Sequence, residues 1–252
     1  TYCMWALCIN GLFVSKAKYS DPLWAQQNQF TISSLRVEGD RPGLKVIAQW
    51  NGPTAAQACE KTVPMLAAWG VIDMYACLEE FIFSLYKIFL NHNPETLLQD
   101  KAHKPLRKLW KESRIDKTKL PQWESAWGQR ITDWQRKRVF DGLKAIFLAY
   151  FKHASLQKPS HYVDTTEAEW AETIEGIGYL RHALIHGATQ VPKELGDFSK
   201  KQHAMNFNFI EGTPIIVELL HLQGIELFCD QLLTALNQSL AEKMIGKPLT
   251  AI

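Results

Sequence analysis

Residues 64–92 read PMLAAWGVIDMYACLEEFIFSLYKIFLNH. At about 3.6 residues per turn, Val71, Met74, Tyr75, Leu78, Ile82, Leu85 and Phe89 cover most of the circumference of one long helix. A helix apolar nearly all round belongs at the centre of a bundle, because no side of it tolerates water. Asn91-His92-Asn93-Pro94 ends it. Upstream, Thr54 reads as an N-cap for a helix beginning at Ala55, and Pro64 marks a break or kink before the long segment.

Working outward, the other helical patterns supply what surrounds this axis. Residues 134–156 carry Val139, Leu143, Ile146, Leu148 and Phe151 at helical spacing, and Lys158-Pro159-Ser160 closes them. A helix starts at Thr165 or Thr166, where Thr166-x-x-Glu169 has the form of a capping box, and runs to about residue 188. The last helix spans about 217–244 with Leu220, Ile225, Leu227, Leu232, Leu233 and Leu236, and Gly246-Lys247-Pro248 terminates it. Residues 95–138 are more polar and read as one or two shorter helices. The expected fold is mainly α, an up-and-down helical bundle with one or two small peripheral β-hairpins.

The hairpins are expected at 30–50 and 205–219. In the first, Phe30, Ile32 and Val37 precede the turn cluster Glu38-Gly39-Asp40-Arg41-Pro42-Gly43, and Leu44, Val46 and Ala48 follow it. In the second, Phe207 and Phe209 precede Glu211-Gly212-Thr213-Pro214 and then Ile215-Ile216-Val217. The two could pair in one small sheet. The organisation is therefore an N-terminal segment, 1–53, whose hairpin packs on the bundle, followed by a helical domain, 54–252, with a hairpin insertion near 205–218.

Composition narrows the function classes. Of 252 residues, 46% are hydrophobic and 21% charged, the profile of an ordinary globular protein. The net charge of +2 is too small to argue for nucleic acid unless the charges cluster. Five cysteines are scattered with no Cys-x-x-Cys spacing, which reads as reduced, mostly buried thiols in a cytoplasmic protein with no disulfide framework. The apolar residues 2–14, interrupted by Asn10 and Gly11, are too short to span a bilayer and read as a packed segment, so no membrane partner is expected. Walker A, G-x-G-x-x-G and G-x-S-x-G patterns are missing, which argues against a nucleotide-driven motor, a dinucleotide oxidoreductase or an elbow hydrolase.

The stretch that carries chemistry is EGIGYLRHALIHG, residues 175–187. On a helix, Ile177, Leu180, Leu184 and Ala188 share a core-facing side. Glu175, Tyr179, His182 and His186 follow at i, i+4, i+7 and i+11, a polar stripe of a carboxylate, a phenol and two imidazoles. Arg181 lies about 140° round from His186, at the margin of the apolar stripe, where a charge needs a partner. Asp73, Glu79 or Glu80 of the long helix could supply one, and Glu79 flanks its apolar side most closely.

Arg181-His182-x-x-x-His186 resembles the R-x(4–6)-H signature of the HEPN superfamily, in which a polar residue commonly follows the arginine. The resemblance spans roughly 55–245, its specific part is six residues long, and the N-terminal segment and the 205–219 stretch depart from the minimal family bundle. It implies a homodimer built through the motif helix, with a composite cleft for RNA. Catalysis would then be metal-independent and without cofactors, leaving 2′,3′-cyclic phosphate and 5′-hydroxyl ends. Arg181, His182 and His186 would be the catalytic residues. A neutral imidazole can take a 2′-hydroxyl proton, and a planar guanidinium suits the non-bridging oxygens of the reacting phosphate. The family further implies a toxin or antiviral defence effector, with an antitoxin as partner. Gly176 and Gly178 would let two motif helices approach closely.

Residues 101–119 are basic, with Arg107 and Lys108 among them, and Trp110, Trp123, Trp127 and Trp134 are interleaved with further cations. Rings and charges so arranged serve a single-strand groove, or they form an amphipathic helix with core rings and solvated lysines. Substrate contacts are thus expected from Tyr179, Glu79, Arg107 and Lys108. Two other readings stand beside the ribonuclease. One is a non-catalytic HEPN-like dimerisation module that binds RNA or nucleotide. The other is a metal-dependent hydrolase using the i, i+4 pair His182 and His186.

Overall fold

The computed structural model describes residues 1–38 and 41–249. Its elements in chain order are α1 (Tyr2–Ser20), α2 (Pro22–Gln27), β1 (Phe30–Glu38), β2 (Arg41–Trp50), α3 (Gly52–His92), α4 (Lys104–Ile115), α5 (Leu120–Arg138), α6 (Leu143–His153), α7 (Glu167–Ile185), α8 (Lys193–Phe198) and α9 (Leu219–Ile245). The protein is mainly α, with one two-stranded antiparallel sheet among the described residues. No helix of the described residues is long and apolar enough to cross a membrane.

The apolar helix read from the sequence is the axis, and it is longer than expected. α3 runs unbroken for 41 residues, with Pro64 inside it. The residue whose carbonyl loses its partner at that proline, Glu60, is exposed to solvent, and α1 packs along α3 on both sides of the joint. The helix begins at Gly52, because the side chain of Asn51, not Thr54, caps it by accepting the Thr54 N–H at 2.9 Å.

Side-chain pairs give the helix directions. Lys16 meets Glu60 at 2.9 Å and the Trp5 indole donates to Asp73 at 2.9 Å, so α1 runs antiparallel to α3. α5 is also antiparallel to α3: Trp134 packs edge-on to Tyr86, and Trp127 donates to Asn91 at 2.8 Å. α6 and α7 are antiparallel, with Phe151 beside Trp170 and Lys144 beside Glu175. The core lies where α3, α5, α6, α7 and α9 meet, around Tyr86, Phe147, Ile174, Ile177, Leu180 and Ile225.

The hairpin at 30–50 forms as expected, pairing Phe30 with Trp50 through Glu38 with Arg41. Gly39 and Asp40 of its turn cluster lie outside the described residues. The hairpin is not packed on the bundle along its length. Only its root is, where Phe30 stacks on Trp50 at 5.9 Å and Tyr19 sits 5.4 Å from Phe30. The register puts Leu35, Val37, Leu44 and Val46 on one face, and all four are exposed. Residues 2–20 of the N-terminal segment are instead part of the helical body, with Ile9 fully buried.

The hairpin expected at 205–219 does not form. Phe207 and Phe209 are both buried beside His221, but no strand pairs with them. The stretch is a series of turns, held by an isolated bridge between Gln190 and Pro214. The thiols also depart from expectation, since Cys3, Cys8 and Cys77 are exposed.

Candidate functional site

α7 carries the site and is fixed at both ends by local chemistry. At its start the Thr166 hydroxyl accepts the Glu169 N–H while the Glu169 carboxylate accepts the Thr166 N–H, the reciprocal capping box read from the sequence. At its end the Ala188 N–H reaches the Ala183 carbonyl at 2.9 Å and the Gly187 N–H reaches the Leu184 carbonyl at 3.2 Å. That pair of bonds is a Schellman closure, with Gly187 at φ +66° in the left-handed region. The helix therefore stops at Ile185, short of residue 188, and His186 is its capping residue.

The polar stripe exists, and it lines a cleft. Glu175, Tyr179 and His182 face a cavity of about 790 Å³, together with Tyr75 of α3, Lys144 of α6 and Glu194 of α8. Lys144 and Glu175 form an ion pair of 2.7 Å across the cleft wall. Burial pushes the Tyr179 phenol up, and the Glu175 carboxylate adds to the shift. Burial also pushes the Tyr75 phenol up, to about 12, with the Glu79 charge as the next contribution. Both phenols therefore remain O–H donors at neutral pH.

Arg181 lines the same cleft, and its partner is not a carboxylate. The guanidinium carbon lies 5.6 Å from the centroid of the Tyr75 ring, within the range of a cation–π contact. Its Nε is buried with no hydrogen-bond partner. Asp73 is taken by the Trp5 indole, and Glu79 and Glu80 line a separate cavity beside Lys87. A ring face compensates a buried cation less fully than a carboxylate does. Arg181 is accordingly only partly buried, its guanidinium over the Tyr75 ring and at the wall of the cleft.

His182 and His186 form a close pair, with ring centroids 4.3 Å apart and planes tilted by 52°. Both are exposed. His182 lines the cleft, whereas His186 lies outside its lining and joins it through the His182 ring. The arrangement brings a cation, two imidazoles and two phenols to one end of α7. Such a set can bind an anionic ester, move a proton and stabilise charge on phosphorus.

The two motif glycines serve packing within this chain. A Cβ at Gly176 would sit 2.3 Å from the Phe198 ring, and one at Gly178 would sit 3.2 Å from the Tyr75 hydroxyl. Gly176 lets α8 close against α7, and Gly178 lets Tyr75 slide under Arg181.

The remaining expected contacts lie elsewhere. Glu79 is not in the cleft lining, and its charge helps to raise the Tyr75 phenol. Arg107 donates to the Asp100 carbonyl at 3.3 Å and Lys108 faces Glu112 at 3.6 Å, both on α4, and neither lines the cleft. Trp127 and Trp134 are buried against α3 and Trp123 is buried on Trp127, so they offer no stacking platform, whereas Trp110 stays half-buried beneath Arg114. The amphipathic-helix reading of this segment is the one the packing realises.

Tyr75, Lys144 and Glu194 were not singled out by the sequence. Each is an ordinary residue on its own helix and gains meaning only from facing α7. Among the described residues no group of three or more His, Cys, Asp or Glu is placed to hold a metal ion, so the His182 and His186 pair has no third ligand. Comparison with known proteins finds no matching family model, no matching curated protein and no matching solved structure.

Proposed function

We propose that this chain is a metal-independent endoribonuclease of the HEPN type, acting as a toxin or defence effector through a homodimer joined at α7. The observation that carries the proposal is the convergence of Arg181 and His182 on one cleft, with the His186 ring packed on His182. In this reading one imidazole of the pair removes the proton from a ribose 2′-hydroxyl and the oxygen attacks the adjacent phosphorus. The 5′-oxygen leaves with a proton from the second imidazole. Arg181, whose charge has no carboxylate partner among the described residues, meets the developing charge on the phosphoryl oxygens. Tyr179 donates a hydrogen bond to the bound strand. The exposed edge His182–Ile185–His186 is where a second copy would complete the cleft, and an antitoxin would cover the same edge.

One observation favours a second reading. Asp141, Glu175 and Glu194 outnumber Lys144 and Arg181 in the cleft lining, which works against drawing a phosphodiester up to the imidazoles and so favours a non-catalytic HEPN-like dimerisation module that binds RNA or nucleotide without cleaving it. Incubating purified protein with synthetic RNA in excess EDTA separates the two, with His186→Ala and Arg181→Ala as controls. The ribonuclease predicts cleavage by the unaltered chain alone, leaving cyclic phosphate ends. RNA binding with no cleavage by any form would establish the binding module, and a strict monomer by light scattering would remove the composite site.

A further inference from the structure

A second cavity, of about 320 Å³, opens at the other end of α7, between its first turns, the 202–206 turn and α9. It lies about 14 Å along the helix from the histidine pair, taking Thr173 to His182 as nine helical steps. Its volume is at the lower end of small-molecule sites.

Aromatic rings form the floor. Trp170 and Phe228 are buried, and Tyr162 meets Trp170 edge-on at 5.8 Å. Amides form the rim: Gln202, Asn206 and Gln231 are exposed side chains that line the opening and present donors and acceptors together. The Thr165 hydroxyl, also in the lining, is buried with no hydrogen-bond partner. Met205 holds φ +56°, a left-handed conformation that costs a non-glycine residue about 1 kcal/mol. That turn carries Gln202 and Asn206 to the opening. Gly224 leaves the space on the α9 side, where a Cβ would meet the Asn206 amide at 3.4 Å.

The charge inside the cavity decides what fits. No lysine or arginine is among its described lining residues. The Glu169 carboxylate is engaged at Oε2 by the N–H and hydroxyl of Thr166. His203, also in the lining, faces Glu172 at 3.0 Å, and Lys201 holds the same carboxylate at 2.6 Å. A phosphate finds no lysine or arginine in the described lining, and the Glu169 charge, held at one oxygen by Thr166, is what an ammonium would meet. A flat, uncharged ring system with both donor and acceptor edges finds rings for its faces and amides for its edges.

We propose that this cavity is a binding site for an uncharged planar heterocycle of the nucleobase class, as free base or nucleoside, distinct from the cleft of Arg181 and independent of the ribonuclease reading. The test is titration of the whole chain with adenosine, guanosine, cytidine and uridine, followed by calorimetry and ligand-observed NMR. The 5′-monophosphates and choline serve as charged comparisons. Saturable binding of at least one nucleoside is expected. Gln231→Ala or Asn206→Ala should weaken it about tenfold, the effect of losing one or two well-placed hydrogen bonds. Gly224→Leu, checked for folding by its thermal transition, should abolish it, and His182→Ala should leave it unchanged. If Gly224→Leu fails to fold, the two exposed amide variants carry the test.

Failure of every nucleoside to bind at millimolar concentration would overturn the assignment. So would tighter binding of a monophosphate or of choline, or loss of binding in His182→Ala with the amide variants unaffected.

Discussion

Arg181 lies over the Tyr75 ring, with its guanidinium carbon 5.6 Å from the ring centroid. The contact joins the motif helix α7 to the central helix α3 and holds the cation at the wall of the cleft. Because the ring supplies a face and no formal charge, the guanidinium stays available to an anion. The same contact sets where the guanidinium sits before any ligand arrives.

On the ribonuclease reading, Arg181→Ala lowers RNA cleavage by about 100- to 1,000-fold, the usual loss for one preorganised stabiliser of transition-state charge. Stability changes little, since a cation–π contact near solvent contributes about 0.5–1 kcal/mol. Tyr75→Phe keeps the ring and therefore the activity, whereas Tyr75→Ala releases the guanidinium and lowers kcat. Cleavage rates and urea melts of the three variants check this, and undiminished cleavage by Arg181→Ala would rule the arginine out as a catalytic group.

Gly176 and Phe198 should behave as a coupled pair. A methyl at position 176 has no room, because its Cβ would lie 2.3 Å from the ring. Gly176→Ala therefore destabilises the protein by about 1–3 kcal/mol, the usual cost of overpacking. Phe198→Leu in the same chain restores part of that. Urea denaturation of the two single variants and the double variant measures the coupling, and purely additive losses would contradict the contact.

The turn at Gly187 is needed to end α7. With φ at +66°, Gly187→Ala should cost about 1–2 kcal/mol, and Gly187→Asn less, because asparagine tolerates the left-handed region. The His186 ring is set by that cap, so cleavage should fall in parallel with the loosened turn. Hydrogen exchange at the amides of Gly187 and Ala188 reports the cap directly.

Stability should fall as the solution becomes acidic. The buried His221 accepts the Glu218 N–H at Nδ1 and meets Asn208 through Nε2, which fits only the neutral ring. Burial lowers its pKa, and burial also lowers that of His153, which bonds to the Tyr86 hydroxyl. In each case the unfolded chain takes up the proton first. Their contribution to stability is complete above the unfolded value of about 6.5 and is lost progressively below it, down to the depressed folded values. Thermal unfolding from pH 8 to pH 5 should show this decline, and His221→Gln should flatten part of it. An unchanged slope in that variant would remove His221 as a cause.

The Trp residues of α5 show why part of the site was illegible. Basic and aromatic residues interleaved along 101–138 fit a nucleic-acid groove and a buried amphipathic helix equally well as a pattern. Packing against Phe83, Tyr86 and Asn91 of α3 placed Trp127 and Trp134 inside. The 205–219 stretch is a similar case, since its alternating apolar residues suit a strand until Phe207 and Phe209 find His221 in the core.

By itself the sequence determined what is local. The apolar run of α3 from Val71 to Phe89, the capping box of α7, the stripe Glu175–Tyr179–His182–His186 and the hairpin at 30–50 all follow from residues within a few turns of one another. Periodicity sets the angle at which a side chain leaves its own helix, and a cap needs only neighbours in the chain. Only the tertiary structure decided that Arg181 would meet Tyr75 and no carboxylate, that Lys144 would pair with Glu175, and that Gly176 would admit Phe198. Those partners come from separate helices, and which faces of two helices touch depends on how all the helices pack together.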